Sequence, residues 1–171
     1  KEVNLEVAIL PEKICLENGI YVVQVRSADE YMTLLEKRSI VEASDAHLHV
    51  SIHANSAGTR GDYLRVGGVS TYYHNPFWRD FAGIMYDDLL ELPLDRFGVI
   101  GSFNYLVTRM SSRPAILVEQ GFMSHAEDEE KLAWIEEILE WDERWRKLKY
   151  ESEQLRSRRN SISKEIAALK K

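Results

Sequence analysis

Residues 46–52 read AHLHVSI, so that apolar and polar side chains alternate, and they are followed directly by His53. Alternation over this length predicts a half-buried β-strand. Residues 115–118 read AILV, an apolar run typical of a buried strand, and they are followed directly by Glu119. Open α/β sheets bind their ligands at the carboxyl ends of their strands. These two segments therefore indicate both the fold class and the place of a candidate site.

Outward from these segments, helical and strand-like patterns alternate along the first 130 residues. Helices are expected over residues 4–16, 31–44 and 77–90, and strands over residues 20–25, 46–52, 69–73, 105–109 and 115–119. This alternation predicts an α/β domain of three layers with a mostly parallel, twisted sheet. Its interior is expected to contain Val22, Val50, Ile52, Leu117 and Val118.

The composition excludes some classes of protein. The 171 residues carry a net charge of −6, which argues against a nucleic-acid partner held by bulk positive charge. Cys15 is the one cysteine, so neither an internal disulfide nor a cysteine-rich zinc cluster can form. No apolar run reaches the length needed to span a membrane, and no signal peptide opens the chain.

Residues 133–171 differ from the rest because they contain neither glycine nor proline. Their apolar residues recur at alternating steps of three and four, interrupted by Ser152 and Arg159. This heptad pattern predicts a long coiled-coil helix that pairs with a partner helix. The alternative is one amphipathic helix packed on its own domain. The chain is therefore divided into residues 1–132 and residues 133–171. The apolar stripe, called the seam below, comprises Ile138, Trp141, Trp145, Leu148, Leu155, Ile162, Ile166 and Leu169.

His53 and Glu119 are the residue types that a metal-assisted hydrolase needs. A neutral imidazole is a good zinc ligand, and a carboxylate can transfer protons. A buried carboxylate must also be paired, bound to a metal or shifted in pKa. The alternative reading of His53 is a structural, hydrogen-bonded histidine.

Several segments resemble the zinc-dependent N-acetylmuramoyl-L-alanine amidases. Residues 51–57 (SIHANSA) and 118–124 (VEQGFMS) are similar to two signature segments of that family. Residues 1–5 (KEVNL) resemble the start of its first helix. Further similarity lies in residues 25–29, in Leu35 with Arg38, in residues 43–45 and in residues 114–128. The resemblance covers residues 1–132.

This resemblance implies an α/β enzyme that cleaves the amide between N-acetylmuramic acid and the L-alanine of the peptide stem. The family holds its zinc with two histidines and a glutamate, and it activates water there. The resemblance makes His53 a zinc ligand and Glu119 the catalytic residue. It also implies peptidoglycan as the substrate, and the cell envelope, the periplasm or the exterior as the location.

The remaining zinc ligands are expected upstream of Lys1. The family's first histidine stands on a Gly-His-Gly segment that these residues do not contain, and its glutamate would immediately precede Lys1. His47, His49 and His74 are the available substitutes, and His47 and His49 share a strand face with His53. The alternative function is a catalytically incompetent wall-binding or scaffold module with an assembly helix.

Residues 134–171 resemble the first helix of the amino-terminal coiled-coil arm of seryl-tRNA synthetase, which indicates a fusion. That arm pairs antiparallel in its own family, so an antiparallel partner is expected here. Residues 58–68 are either a substrate-side loop or a solvated connection. Arg109 and Arg113 fit a substrate carboxylate or structural ion pairs equally well.

Overall fold

A computed structural model describes residues 2–58, 63–110 and 112–169 of the chain. Contacts divide the chain into two units, Lys1–Leu132 and Ala133–Lys171. In the described part of the chain, no helix is both long and apolar enough to cross a bilayer.

The first unit is built on a mixed sheet of four strands: β1 (His49–Asn55), β2 (Val69–Tyr73), β3 (Arg96–Ile100) and β4 (Ala115–Phe122). Their order across the described sheet is β1-β4-β2-β3. The pairs β1–β4 and β2–β3 are parallel, whereas β2 and β4 are antiparallel. The two strands expected to carry the site, β1 and β4, are therefore parallel neighbours.

The described residues also form four α-helices: α1 (Glu2–Glu17), α2 (Leu34–Ala43), α3 (Arg79–Leu89) and α4 (Ala126–Leu169). Short 3₁₀ turns cover Tyr63–Arg65 and Pro76–Trp78. The start of α2 is fixed by a capping box. The Thr33 hydroxyl accepts from the Glu36 amide at 3.2 Å, and the Glu36 carboxylate accepts from the Thr33 amide at 2.7 Å.

The sheet has apolar packing on both faces, which confirms the predicted α/β class. On the back face, Ile116 and Val118 of β4 pack with Ala82 of α3 and with Val50 of β1. On the front face, Leu117 packs with Tyr72 and Val107, and Ala115 packs with Val41 of α2. Since side chains alternate along a strand, His53 and Glu119 also belong to the front face.

Three details of the expected fold are wrong. Residues 105–109 form a turn and not a strand, because the Thr108 amide and hydroxyl both bond the Tyr105 carbonyl, each at 3.1 Å. Residues 20–25 are extended but join no ladder among the described residues, so Val22 lies outside the sheet. The edge strand β3 was not expected, since Gly98 interrupts a short run that is partly exposed.

Candidate active site

Two parallel strands bring His53 and Glu119 side by side. His53 of β1 is the register partner of Glu119 of β4, near the carboxyl ends of both strands. Register partners in a sheet have their side chains on the same face. Directly after this point the register shifts, so that Asn55 pairs with Phe122. The two residues predicted from sequence are therefore neighbours at the edge where α/β sheets bind ligands.

His53 and Glu119 line a cavity of about 230 Å³ on the front face of the sheet. The rest of its wall is apolar or aromatic. It is contributed by α2, by the turn before β4 and by β4 itself, and it consists of Leu34, Tyr105, Leu106, Val107 and Leu117. A concave, mostly apolar pocket with a few convergent polar groups is the usual form of a binding site for a small group.

Burial controls the protonation of Glu119. The residue is only 5% exposed, and its Oε2 atom is buried with no hydrogen-bond partner among the described residues. Because burial disfavours the charged carboxylate, it raises the pKa of Glu119 to about 7. A carboxyl group with this pKa exchanges protons readily near neutral pH, which is the property of a general acid–base residue.

His53 is held in its neutral form. Burial lowers the pKa of His53, and the positive charge of Lys37 lowers it further. A neutral imidazole keeps a lone pair on one ring nitrogen, which a metal ion requires. His53 also lies on the wall of a second, larger cavity of about 740 Å³ between α1, the extended residues 21–26 and β1.

The other histidines do not join His53. His49 shares its face but lies four residues earlier on β1, about 13 Å away at strand spacing, and His47 precedes β1. His74 follows the carboxyl end of β2, which is the opposite edge of the sheet because β2 and β4 are antiparallel. Its Nδ1 atom lies 3.2 Å from the Phe103 carbonyl oxygen. These three residues are therefore not placed to bind one metal ion together with His53.

The described residues fit one position of a zinc site and not a whole one. Within residues 2–58, 63–110 and 112–169, no group of three histidine, cysteine, aspartate or glutamate residues could hold a metal ion. His53 offers one neutral imidazole, and the unpartnered Oε2 atom of Glu119 is a second polar atom beside it. A catalytic zinc ion needs three protein ligands.

Arg113 is a structural residue and Arg109 is an exposed one. The Arg113 guanidinium donates to the Ser44 hydroxyl at 2.9 Å, to the Ala46 carbonyl at 2.8 Å and to the Ser44 carbonyl at 3.2 Å. These bonds attach the start of β4 to the connection between α2 and β1. Of the loop of residues 58–68, positions 59–62 lie outside the described residues.

Gln120 connects α1 to the site from the back face. Its side-chain amide donates to the Asn4 side-chain oxygen at 3.2 Å and to the His53 carbonyl at 3.4 Å. Gln120 is only 5% exposed. The first turn of α1, whose KEVNL sequence resembles the amidase family, is therefore anchored beside the candidate ligand.

A buried carboxylate beyond β4 was missed by the sequence analysis. Asp128 of α4 is 1% exposed, and its Oδ2 atom accepts from the Gly68 amide at 2.7 Å and the Phe122 amide at 2.8 Å. Its Oδ1 atom lies 3.2 Å from His125 Nδ1. A Cβ atom at Gly67 would lie 2.6 Å from His125 Nδ1, so a larger residue there would displace the His125 ring from Asp128. A turn sequence followed by a polar helix start carries no signal for such a contact.

The His49 side chain predicts how stability changes in acid. Burial, aided by Arg113, lowers the pKa of His49 to about 4. The unfolded chain binds a proton near pH 6.5, whereas the folded chain does so only near pH 4. Folding stability should therefore be full above pH 6.5 and fall as the pH drops toward 4, by at most about 3 kcal/mol from this group.

We expect His49→Gln to reduce this loss of stability in acid. The free energy of unfolding in urea, measured between pH 7 and pH 4, would then depend less on pH. His47→Gln is the matched control, because His47 is exposed. If the His49→Gln variant and the unchanged chain lost the same stability between pH 7 and pH 4, His49 would not be the cause of the loss.

Comparison with known proteins identifies the first unit. Residues 1–136 match the family described as N-acetylmuramoyl-L-alanine amidase. The chain belongs to this amidase family. It is 28% identical over 138 residues to the N-acetylmuramoyl-L-alanine amidase CwlM of Bacillus licheniformis, covering 77% of this chain and 51% of that protein. The chain thus spans about half the length of this curated relative.

A solved amidase structure agrees with the fold. The amidase AmiC2 of Nostoc punctiforme superposes with a TM-score of 0.70 at 31% identity, over 77% of this chain and 72% of that chain. This likeness supports the three-layer architecture that places His53 beside Glu119.

The second unit resembles a different family. Residues 125–171 match the seryl-tRNA synthetase N-terminal domain. The chain is 49% identical over 45 residues to the serine–tRNA ligase of Methanocorpusculum labreanum, which is 26% of this chain and 11% of that protein. The amidase unit is thus continuous with a segment similar to seryl-tRNA synthetases, as the resemblance of residues 134–171 predicts.

Proposed function

We propose that this amidase unit hydrolyses peptidoglycan at the amide between N-acetylmuramic acid and the L-alanine of the stem peptide. The observation that carries the proposal is Glu119, a buried carboxyl group with a pKa of about 7 beside His53 at the wall of the front cavity. Membership of the amidase family supports the choice of bond.

Glu119 is the catalytic residue of this proposal. Its carboxylate takes a proton from the attacking water while the oxygen of that water bonds to the amide carbon. The resulting carboxylic acid then gives the proton to the departing nitrogen as the carbon–nitrogen bond breaks. The amine of L-alanine and the carboxylate of the lactyl group are the products. A group with a pKa near 7 can serve as both base and acid in one cycle at neutral pH.

His53 is proposed as one ligand of a zinc ion whose other ligands lie outside the described residues. The neutral imidazole of His53 and its position beside Glu119 support this assignment. A bound zinc ion would supply a Lewis acid for the amide carbonyl and its water. Among the described residues, His53 is the one zinc ligand that we assign.

Substitution of His53 tests the proposal. In a protein that carries this unit and takes up zinc, His53→Ala should lower zinc occupancy to background in elemental analysis. Release of stem peptides from purified peptidoglycan should stop as well, because one of three ligands is lost. His47→Ala is the matched control, since His47 precedes β1. Unchanged zinc content in His53→Ala would overturn the assignment of His53.

A second candidate function is a wall-binding module that does not cleave its substrate. The observation behind it is that the described residues by themselves supply one candidate zinc ligand, His53. The two functions differ in a simple assay. A binding module would sediment with insoluble peptidoglycan and release no new L-alanine amino termini, whereas an amidase would release them in the presence of zinc.

Location follows from the same proposal, whereas assembly rests on α4. An enzyme that acts on peptidoglycan works in the cell envelope, in the periplasm or outside the cell, and we place this unit there. We also propose that residues 133–171 form a coiled coil with a partner helix, since α4 extends unbroken to Leu169 and exposes the described part of its seam. The side chains of Ile138, Ile166 and Leu169 lie outside the described residues.

A further inference from the structure

We propose that the partner of the α4 seam is the same seam in a second copy of this chain, running antiparallel, with Trp145 of one helix opposite Leu148 of the other. This arrangement does not depend on peptidoglycan hydrolysis. It would place two amidase units in one assembly.

The first observation is exposure along one stripe of α4. The described seam residues are large and apolar, and about half or more of each is exposed: Trp141 (61%), Trp145 (58%), Leu148 (65%), Leu155 (66%) and Ile162 (46%). Contiguous apolar surface of this kind marks an interaction site. The steps of four and three between Trp141, Trp145 and Leu148 match the a and d positions of a coiled coil.

The second observation is the charge that flanks the seam. The a positions here are Trp145 and Ser152, and they are preceded by Arg144 and Glu151. In an antiparallel pair, the residues that directly precede the a positions face each other across the interface. Placing Trp145 opposite Leu148 brings Arg144 of each helix beside Glu151 of the other, which gives two opposite-charge contacts related by the two-fold axis. Trp141 then lies opposite Ser152, so that a large side chain meets a small one.

Other alignments conflict with the same residues. Moving one helix by a heptad, so that Trp145 faces Leu155, places Arg144 beside Arg158 and Glu151 beside its own copy. A further heptad places Leu148 opposite Arg159 and Lys149 beside Arg156. A parallel pair places Arg159 against its own copy inside the seam and Arg144 beside Lys149. The charges of the described residues therefore favour one antiparallel alignment.

The length of α4 allows this alignment to extend. With Trp145 opposite Leu148, residues 133–160 of the two helices overlap, which is about four heptads and includes the described seam residues from Trp141 to Leu155 but not Ile162. Two cations already lie over the indole rings of the seam. The Arg144 guanidinium is 5.6 Å from the centre of a Trp141 ring, and the Lys149 ammonium is 4.9 Å from a Trp145 ring. The aliphatic parts of the Arg144 and Lys149 side chains lie at the edge of the seam, and they would cover that edge in the pair.

Charge exchange tests the arrangement in the whole 171-residue chain. Sedimentation equilibrium at low salt should give a dimer. Arg144→Glu alone and Glu151→Arg alone should each raise its dissociation constant about tenfold, because each creates two like-charge contacts. The double variant R144E/E151R should return to within about twofold of the unchanged chain.

Matched controls carry the same change of charge away from the seam. Arg146→Glu and Glu153→Arg lie at positions that face outward from the pair, and they should leave the dissociation constant unchanged. A monomer at every concentration would overturn the proposal. So would rescue of Glu151→Arg by Arg156→Glu, which indicates a parallel pair, or by Arg158→Glu, which indicates a shifted one. Zinc content and peptide release report separately on the amidase proposal.

Discussion

Glu119→Gln should reduce the release of stem peptides from peptidoglycan by about 10²–10⁴-fold, the usual contribution of a general acid–base residue. The substitution keeps the size and shape of the side chain. It removes the only function that the proposal assigns to this residue, which is to take a proton from water and return it to the amine. The rate is measured as new L-alanine amino termini per enzyme in a protein that carries this unit with zinc bound.

The same variant should gain stability in zinc-free protein at high pH. Burial raises the pKa of Glu119 to about 7, so the folded state binds its proton more tightly than the unfolded state does. The stabilisation from this group is full below the unfolded pKa near 4.5 and is lost as the pH rises through about 7. At pH 8 the buried charge costs up to about 3 kcal/mol, which glutamine avoids.

A loss of activity with a gain of stability separates a catalytic Glu119 from a structural one. If Glu119 only supported the fold, glutamine would change turnover little or would lower turnover and stability together. Glu91→Gln is the matched control, because it removes an exposed carboxylate outside the cavity. Turnover of Glu119→Gln equal to that of the unchanged protein would contradict the proposed mechanism.

Much of the front edge of the sheet could be predicted from the sequence. The strands around His53 and Glu119 have patterns typical of strands: alternation of polar and apolar residues in β1, and a short apolar run before Glu119 in β4. Because each apolar segment is followed by a polar residue, both residues could be placed at the ligand-binding edge of the sheet, whereas the direct pairing of β1 with β4 is known only from the structure. The roles of His53 and Glu119 remain predictions that the substitutions above would test.

The errors arise where the hydrogen-bond partners of a segment decide its structure. Residues 20–25 have the composition of a buried strand, but a strand needs a neighbour, and no described strand pairs with them. Residues 105–109 have a similar composition, yet the Thr108 hydroxyl bonds the carbonyls of Phe103 and Tyr105 and closes a turn. Local propensity cannot report whether such a partner is present.

Arg113 shows the same limit for side chains. From sequence, a substrate carboxylate and a structural partner were equally acceptable for this guanidinium. Its three bonds to Ser44 and Ala46, which are 67–69 residues away in sequence, decide the question. The pairing could not be predicted, because serine hydroxyls and backbone carbonyls occur throughout the chain.

Asp128→Ala should destabilise the amidase unit by about 4 kcal/mol, the largest effect on stability that we expect of a single substitution. Its Oδ2 atom accepts from two backbone amides, Gly68 before β2 and Phe122 at the end of β4. Alanine would leave both amides buried and unpaired, and an unpaired buried amide costs about 1–3 kcal/mol. The loss also removes a negative charge from the first turn of α4, where the helix dipole favours one.

Asp128→Asn distinguishes the hydrogen bonds from mere packing. Its one oxygen can still accept from Gly68 and Phe122, while its amide nitrogen takes the place of the oxygen that lies 3.2 Å from His125 Nδ1. We therefore expect about half the loss seen with alanine, measured by urea unfolding followed through tryptophan fluorescence and circular dichroism. Glu129→Ala is the matched control, because Glu129 lies in the same turn of α4 and is exposed. Removing a carboxylate that accepts from two buried amides must lower the free energy of unfolding. If alanine and asparagine lowered it equally and only slightly, Asp128 would not hold β2, β4 and α4 together.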